Sequence, residues 1–149
     1  IVEMLRLEVR HRTLLLDVEA TPDFLRRLVH HELFHFADYA GDEQVQHDPS
    51  WAALSGDDFV YGSGGRFLRD PRSSLPGSAP PGFVTGYATS ALEEDKAETF
   101  SFLMTAAGAL AERTRADGVL AAKVARVKQE LAKLSPELDD EFWRRGGVR

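Results

Sequence analysis

The stretch TPDFLRRLVHHELFHFADYAG (residues 21–41) carries the interior of a helix and signals for both of its ends. Thr21 can cap it, Pro22 suits the first helical position, and Asp23 favours the positive end of the helix dipole. Gly41 stands where a left-handed residue closes a helix. Phe24, Leu28, His31 and His35 recur along one stripe, and Leu25, Val29, Leu33 and Phe36 cover the neighbouring face. This pattern predicts a helix buried over much of its girth.

Within it, HHELFHF (30–36) sets His31 and His35 four residues apart with Glu32 directly after the first. Positions i and i+4 of a helix project from one face about 6 Å apart, so both imidazoles can reach a single ion at ~2.0–2.1 Å. Zinc is the ion this geometry favours. Glu32, about 100° further round the helix, falls beside the ion, where a carboxylate can take a proton from water; it is the candidate general base. The plainer alternative is a buried helix with two core histidines. Catalytic zinc also requires a third protein ligand.

Composition bounds what else the chain can be. At 149 residues it is long enough to bury a core without a disulfide or structural metal, so a single catalytic domain over 1–149 is expected. The chain begins at Ile1 and shows no signal-peptide pattern, which suggests a fragment of a longer protein. A net charge of −6, with no basic and aromatic stripe, makes nucleic acid a poor partner, and no apolar run approaches membrane-spanning length. With no cysteine, thiolate ligands and thiol nucleophiles are excluded.

Around the helix, residues 5–20 combine partial alternation with Leu14-Leu15-Leu16 and predict one or two strands. DPSWAAL (48–54) reads as one or two capped helical turns and DFVYG (58–62) as a short strand. Residues 62–86 hold glycines 62, 64, 65, 77, 82 and 86 and prolines 71, 76, 80 and 81, which predict a long excursion with little regular structure. GSGG at 62–65 lacks the Gly-Lys-Ser/Thr of a phosphate cradle and reads as plain loop. A second long helix is expected from Ser90 to about Arg115 and a third over 118–134, with Val124, Val127, Leu131 and Leu134 on one face and Lys123 elsewhere. Ser135-Pro136 would open a short fourth helix ended by Gly146.

Two familiar positions for the third ligand are empty of candidates. Six residues beyond His35 stands Gly41, and some twenty residues downstream, at Leu54–Gly56, there is no carboxylate. ALEEDKAETF (91–100) offers Glu93, Glu94, Asp95 and Glu98. Ser90 and Glu93 match a capping box, which gives Glu93 a structural task. Glu94 and Glu98 share a face and repel unless a cation lies between or near them, whereas Asp95 and Lys96 point elsewhere and read as solvated surface. Glu94 is therefore the expected ligand, with Glu98 behind it holding a histidine N–H or the charge balance. The alternative is a solvated acidic first turn favoured by the dipole.

HELFH (31–35) and YATSALEEDKAE (87–98) together resemble the anthrax lethal factor family of zinc peptidases, within the gluzincin group. They are also similar to a set of bacterial and fungal zinc-binding metallopeptidases. The family pattern is His-Glu-x-x-His, then Tyr, six residues, and Glu-x-x-x-Glu. Here it supplies His31, Glu32, His35, Tyr87, Glu94 and Glu98, with Thr99-Phe100 and Leu103-Met104 also family-like. The likeness covers roughly 21–40 and 83–104. It implies a zincin-like α+β catalytic domain, mostly helical, with a small N-terminal sheet packed on the HExxH helix. It further implies one zinc per chain on His31, His35 and Glu94, and Tyr87 donating to the oxyanion. Tyr61 and Tyr39 are weaker candidates for that donor, and His11, His30 and His47 are expected to be structural or surface residues.

The expected function is zinc-dependent peptide hydrolysis acting on a peptide or protein substrate, with a strand from 5–20 pairing with it along the cleft. Alternatives are a zincin-fold binding module without turnover and a zinc hydrolase of non-peptide amides. The resemblance leans towards a secreted or extracytoplasmic location and otherwise leaves location and oligomeric state open.

Overall fold

In the computed structural model of the chain, the described residues are 7–8, 13–14, 21–41, 47–64 and 79–145. The long helix α1 spans Pro22–Gly41, and the Leu25 N–H reaches back to the Thr21 carbonyl at 2.9 Å, so the start lies where Thr21-Pro22-Asp23 mark it. Its girth is less buried than the stripe predicts. Phe34 and His31 are buried, but Phe24 and Leu33 are 36% and 48% exposed, so α1 is one-sided.

That buried side packs against α3 (Leu92–Thr105), the most enclosed helix among the described residues. Asp48 caps the single turn α2 (Pro49–Ala52) by accepting the Trp51 N–H at 2.9 Å, and a 3-10 turn, Ala53–Ser55, extends it. A second 3-10 turn, Tyr87–Thr89, leads towards α3. Beyond α3 come α4 (Ala107–Ala116), α5 (Gly118–Leu134) and the short α6 (Asp140–Arg144). The core joins Phe34, Trp51, Phe83 and Val84 to Leu92, Phe100 and Leu103 of α3, Leu110 of α4, and Leu120, Val127 and Leu131 of α5.

The expected α+β class is overturned: the chain is helical. The only strand pairing among the described residues is a two-residue antiparallel ladder, β1 (Leu7–Glu8) with β2 (Thr13–Leu14), in the register Leu7 to Leu14. Two such rungs do not make a sheet that could carry a face of the fold. The rest of 5–20, where alternation suggested longer strands, lies outside the described residues, as do 65–78 of the Gly/Pro-rich excursion.

Other local expectations are corrected as well. DFVYG is not a strand but the end of a turn followed by irregular chain, with the Gly62 and Gly64 N–H groups on the Thr89 and Ser90 carbonyls at 3.0 and 2.8 Å. There is no capping box at α3. Its N-cap is Ala91, in extended backbone, and the Ser90 hydroxyl has no partner. The helix expected to run unbroken to Arg115 stops at Thr105, because Ala106 leaves helical backbone at φ −142, ψ 38. That break redirects α4 so that Leu110 enters the core and Arg113 reaches the 83–84 backbone. On α5 the buried stripe is Leu120, Lys123, Val127 and Leu131, while Leu134 is 50% exposed. Asp139, rather than Ser135, caps the last helix, accepting the Phe142 N–H. Gly146 lies outside the described residues.

Candidate metal centre

Because α1 and α3 lie face to face, two pairs of residues one turn apart meet: His31 and His35 from α1, Glu94 and Glu98 from α3. His31 sits between the two carboxylates. Its Nδ1–H donates to Glu98 Oε1 at 3.0 Å and its Nε2 lies 3.0 Å from Glu94 Oε2. His35 Nε2 is 3.2 Å from His31 Nε2 and 3.6 Å from Glu94 Oε2. The like charges one turn apart on α3 are thus separated by an imidazole that can carry the compensating charge.

One potential ligand atom from each of His31, His35 and Glu94 falls within 4.8 Å of the other two. Bonds of ~2.0–2.2 Å to a tetrahedral ion place neighbouring ligand atoms roughly 3.3–3.6 Å apart. The observed 3.0, 3.2 and 3.6 Å need only small adjustments to meet that. Two neutral nitrogens and a carboxylate oxygen also form a donor set suited to a divalent ion of the zinc type, so the residues present fit a metal. The side chain of His31 is 6% exposed against 14% for His35 and 16% for Glu94, so the cluster is closed behind His31 and opens past the other two.

Without an ion the cluster is a strongly coupled acid–base group. Burial opposes charge on His31, but its hydrogen bonds to Glu94 and Glu98 and their negative charges prevail, and its pKa is pushed up to about 10. Burial likewise works against charge on Glu94 and Glu98. Hydrogen bonds from His31 and His35 hold Glu94 well below the usual carboxylate range, and those from His31 and Thr85 lower Glu98. In this state His31 is an imidazolium donating from both nitrogens.

Tyr87 reaches the site from the 3-10 turn before α3, with its ring centroid 6.0 Å from that of His31. Burial first, then the Glu94, Glu98 and Glu32 carboxylates, push its hydroxyl far above its ordinary value, so it stays a proton donor. Glu32 is half-buried on α1 and close enough for its charge to act on Tyr87. The structure therefore brings His31, Glu32, His35, Tyr87, Glu94 and Glu98 together. Tyr61 lies elsewhere, donating to Asp95 Oδ2 at 2.6 Å. His30 stacks edge-on against Phe100 and His47 is exposed; His11 and the Tyr39 side chain lie outside the described residues.

Three supports around the site were not anticipated. Thr85, fully buried, donates its hydroxyl to Glu98 Oε2 at 2.7 Å. Lys96, read as solvated, is 4% exposed, and its Nζ bridges Asp38 of α1 at 3.1 Å and Asp48 at 3.0 Å. Asp95, also read as solvated, is completely buried and takes Trp51 Nε1–H, Tyr61 O–H and Lys123 Nζ on one oxygen, at 2.9, 2.6 and 2.8 Å. A signal existed for the last two. Lys96 and Thr99 continue the stripe from Leu92 to Leu103, and Asp95 stands three residues after Leu92. Their polar side chains mask that position in a reading by residue type. Comparison with known proteins adds no identity: no protein family, curated protein or solved structure matches this chain.

Proposed function

We propose that this protein is a zinc-dependent peptidase of the gluzincin kind, resembling the lethal factor family, that hydrolyses peptide bonds in a peptide or protein substrate. The observation that carries the reading is the convergence of His31, His35 and Glu94 at the mouth of a cluster whose innermost histidine is held from behind by Glu98. A zinc ion held by those three residues would supply Lewis acidity to the scissile carbonyl and to the attacking water.

The chain's own groups do the rest. Glu32 accepts a proton from the attacking water and returns it to the leaving amine. The Tyr87 hydroxyl donates a hydrogen bond to the carbonyl oxygen as negative charge develops there. Glu98 holds His31 by Nδ1, which leaves Nε2 facing Glu94 and His35.

Elemental analysis of purified protein, followed by a peptide-library cleavage screen, tests this. The expected result is one zinc per chain, much weakened in Glu94→Ala, and cleavage that depends on the metal. No zinc after reconstitution would sink the metal reading. Bound zinc with no cleavage across the library would leave a peptide-binding module or a hydrolase of other amides.

A further inference from the structure

We infer that Thr85 is a positioning residue for this metal centre, acting through Glu98 to keep the His31 proton on Nδ1; the inference rests on the metal reading above. Thr85 Oγ1 has two buried partners. It accepts the Ala88 N–H at 3.2 Å and donates to Glu98 Oε2 at 2.7 Å. With the Ala88 amide on its acceptor side, the hydroxyl proton is directed to Glu98. The other Glu98 oxygen takes His31 Nδ1–H at 3.0 Å, and Glu98 is only 5% exposed.

A carboxylate accepts and does not donate, so both of its neighbours must present protons to it. The chain of bonds therefore runs one way, from Ala88 N–H to Thr85 and from Thr85 to Glu98, with His31 donating from the other side. Without the hydroxyl, Glu98 Oε2 is left buried and underused and the carboxylate is free to turn. Its hold on the imidazole then loosens, and the direction of Nε2 loosens with it.

Thr85 is itself held from outside the site. Arg113 donates to the Phe83 and Val84 carbonyls, Asp117 accepts the Gly82 N–H at 2.6 Å, and Lys123 donates to the Gly82 carbonyl at 2.9 Å. Gly82 takes φ +85, and a Cβ there would stand 2.9 Å from Val119 Cγ1. The α4–α5 pair thus grips residues 82–84, and the hydroxyl one residue later arrives with its place already fixed. A hydroxyl on an unanchored loop could not set the angle of a buried carboxylate.

The test is zinc affinity by chelator competition for wild type, Thr85→Val, which keeps the shape without the hydroxyl, and Thr85→Ser, which keeps the hydroxyl. Loss of a group that orients a ligand from behind costs about tenfold or more in metal affinity, so Thr85→Val should weaken zinc by about tenfold while Thr85→Ser restores most of it. Combined with Glu98→Gln, the loss should be less than additive, since both changes cut one chain of bonds. In zinc-loaded wild type, long-range ¹H–¹⁵N spectra should show His31 protonated on Nδ1 and a slowly exchanging Thr85 hydroxyl proton. Equal affinity for Thr85→Val, no rescue by serine, or a fast-exchanging hydroxyl overturns the role of Thr85 and leaves the metal centre standing. A wild type that takes up no zinc overturns both. If Thr85→Val fails to fold, the wild-type hydroxyl proton still decides the matter.

Discussion

In the proposed reaction each side chain at the site takes a different part of the chemistry, and substitutions separate the parts. Glu32 is near the cluster without being one of the three converging ligands, so Glu32→Gln should keep zinc and lower turnover by about 10²–10⁴, the usual contribution of a positioned acid–base group. Zinc content and turnover measured together decide this; a variant that keeps its turnover removes Glu32 as base. Tyr87→Phe removes one hydrogen bond to developing charge and should lower kcat by about 10²-fold, with zinc content unchanged. An unchanged rate would remove the oxyanion role. The raised pKa of His31 gives the metal-free protein a pH signature. A folded value of about 10 against 6.5 means that its stabilising contribution is complete below pH 6.5 and is lost as pH rises through about 10. Glu94 and Glu98 are shifted down, so their contribution is present above 4.5 and is lost as pH falls through their lowered values. Chemical denaturation of chelator-treated protein across pH should show a loss of stability on the alkaline side, absent in His31→Gln. At this scale the sequence was informative in part: i, i+4 spacing puts His31 and His35 on one helical face and Glu94 and Glu98 on another, but the capping box that sets Glu93 aside does not form, since Ala91 is the N-cap of α3. Thr85 was hidden because its value depends on where residues 82–84 are gripped, and those grips come from side chains about 30 to 40 residues further on.

Helices α1 and α3 need a fixed register for the two pairs of site residues to meet, and Lys96 supplies part of it. Its ammonium lies two residues after Glu94 and binds Asp38, three residues after His35, and also the cap residue Asp48. Burial works against the charge of Asp48, yet the Ser50 hydroxyl, the Trp51 N–H and Lys96 bring it down to about 2. Its contribution is therefore present above its ordinary value near 3.8 and disappears only as pH falls through about 2. Lys96→Met would leave two largely buried carboxylates without their cation, a change that typically costs about 3–5 kcal/mol. Urea denaturation should show that loss; a change under about 1 kcal/mol would mean the bridge behaves as an exposed pair. Element ends were less legible than element cores. Thr21, Pro22 and Asp48 mark helix starts through chemistry local to the chain. The break at Ala106 has no Pro or Gly at the break itself and is decided by tertiary packing, since α4 must turn to bury Leu110 and bring Arg113 to Phe83 and Val84.

At the scale of the whole molecule, alternation over 5–20 and the likeness to the zinc peptidases together point to an N-terminal sheet, whereas the strand pairing present among the described residues amounts to two rungs. What unites the described parts instead is a buried polar hub that periodicity could not announce. Asp95 of α3 gathers Trp51 of α2, Tyr61 of the following segment and Lys123 of α5, and Lys123 also holds the Gly82 carbonyl and lies 3.5 Å over the Phe83 ring. Both ionic groups are fully enclosed. Burial pushes Asp95 up and Lys123 down, against the attraction each exerts on the other. Such a pair is costly to break from one side and cheap to replace from both, because a single removal strands the partner's charge in the interior. Lys123→Met should therefore destabilise the protein by about 3–5 kcal/mol, and Asp95→Asn, which strands the enclosed Lys123 ammonium, by a comparable amount. The double variant should be more stable than the sum of its parts implies, by about 1–3 kcal/mol of coupling. A urea-denaturation cycle on the four proteins measures this directly, and additive losses would mean that Lys123 is held by the Gly82 carbonyl and the Phe83 ring rather than by Asp95. Because Lys123 also anchors the segment leading to Thr85, the same variant should weaken zinc binding, whereas a hub that only holds the core together would leave the metal affinity of the folded fraction unchanged.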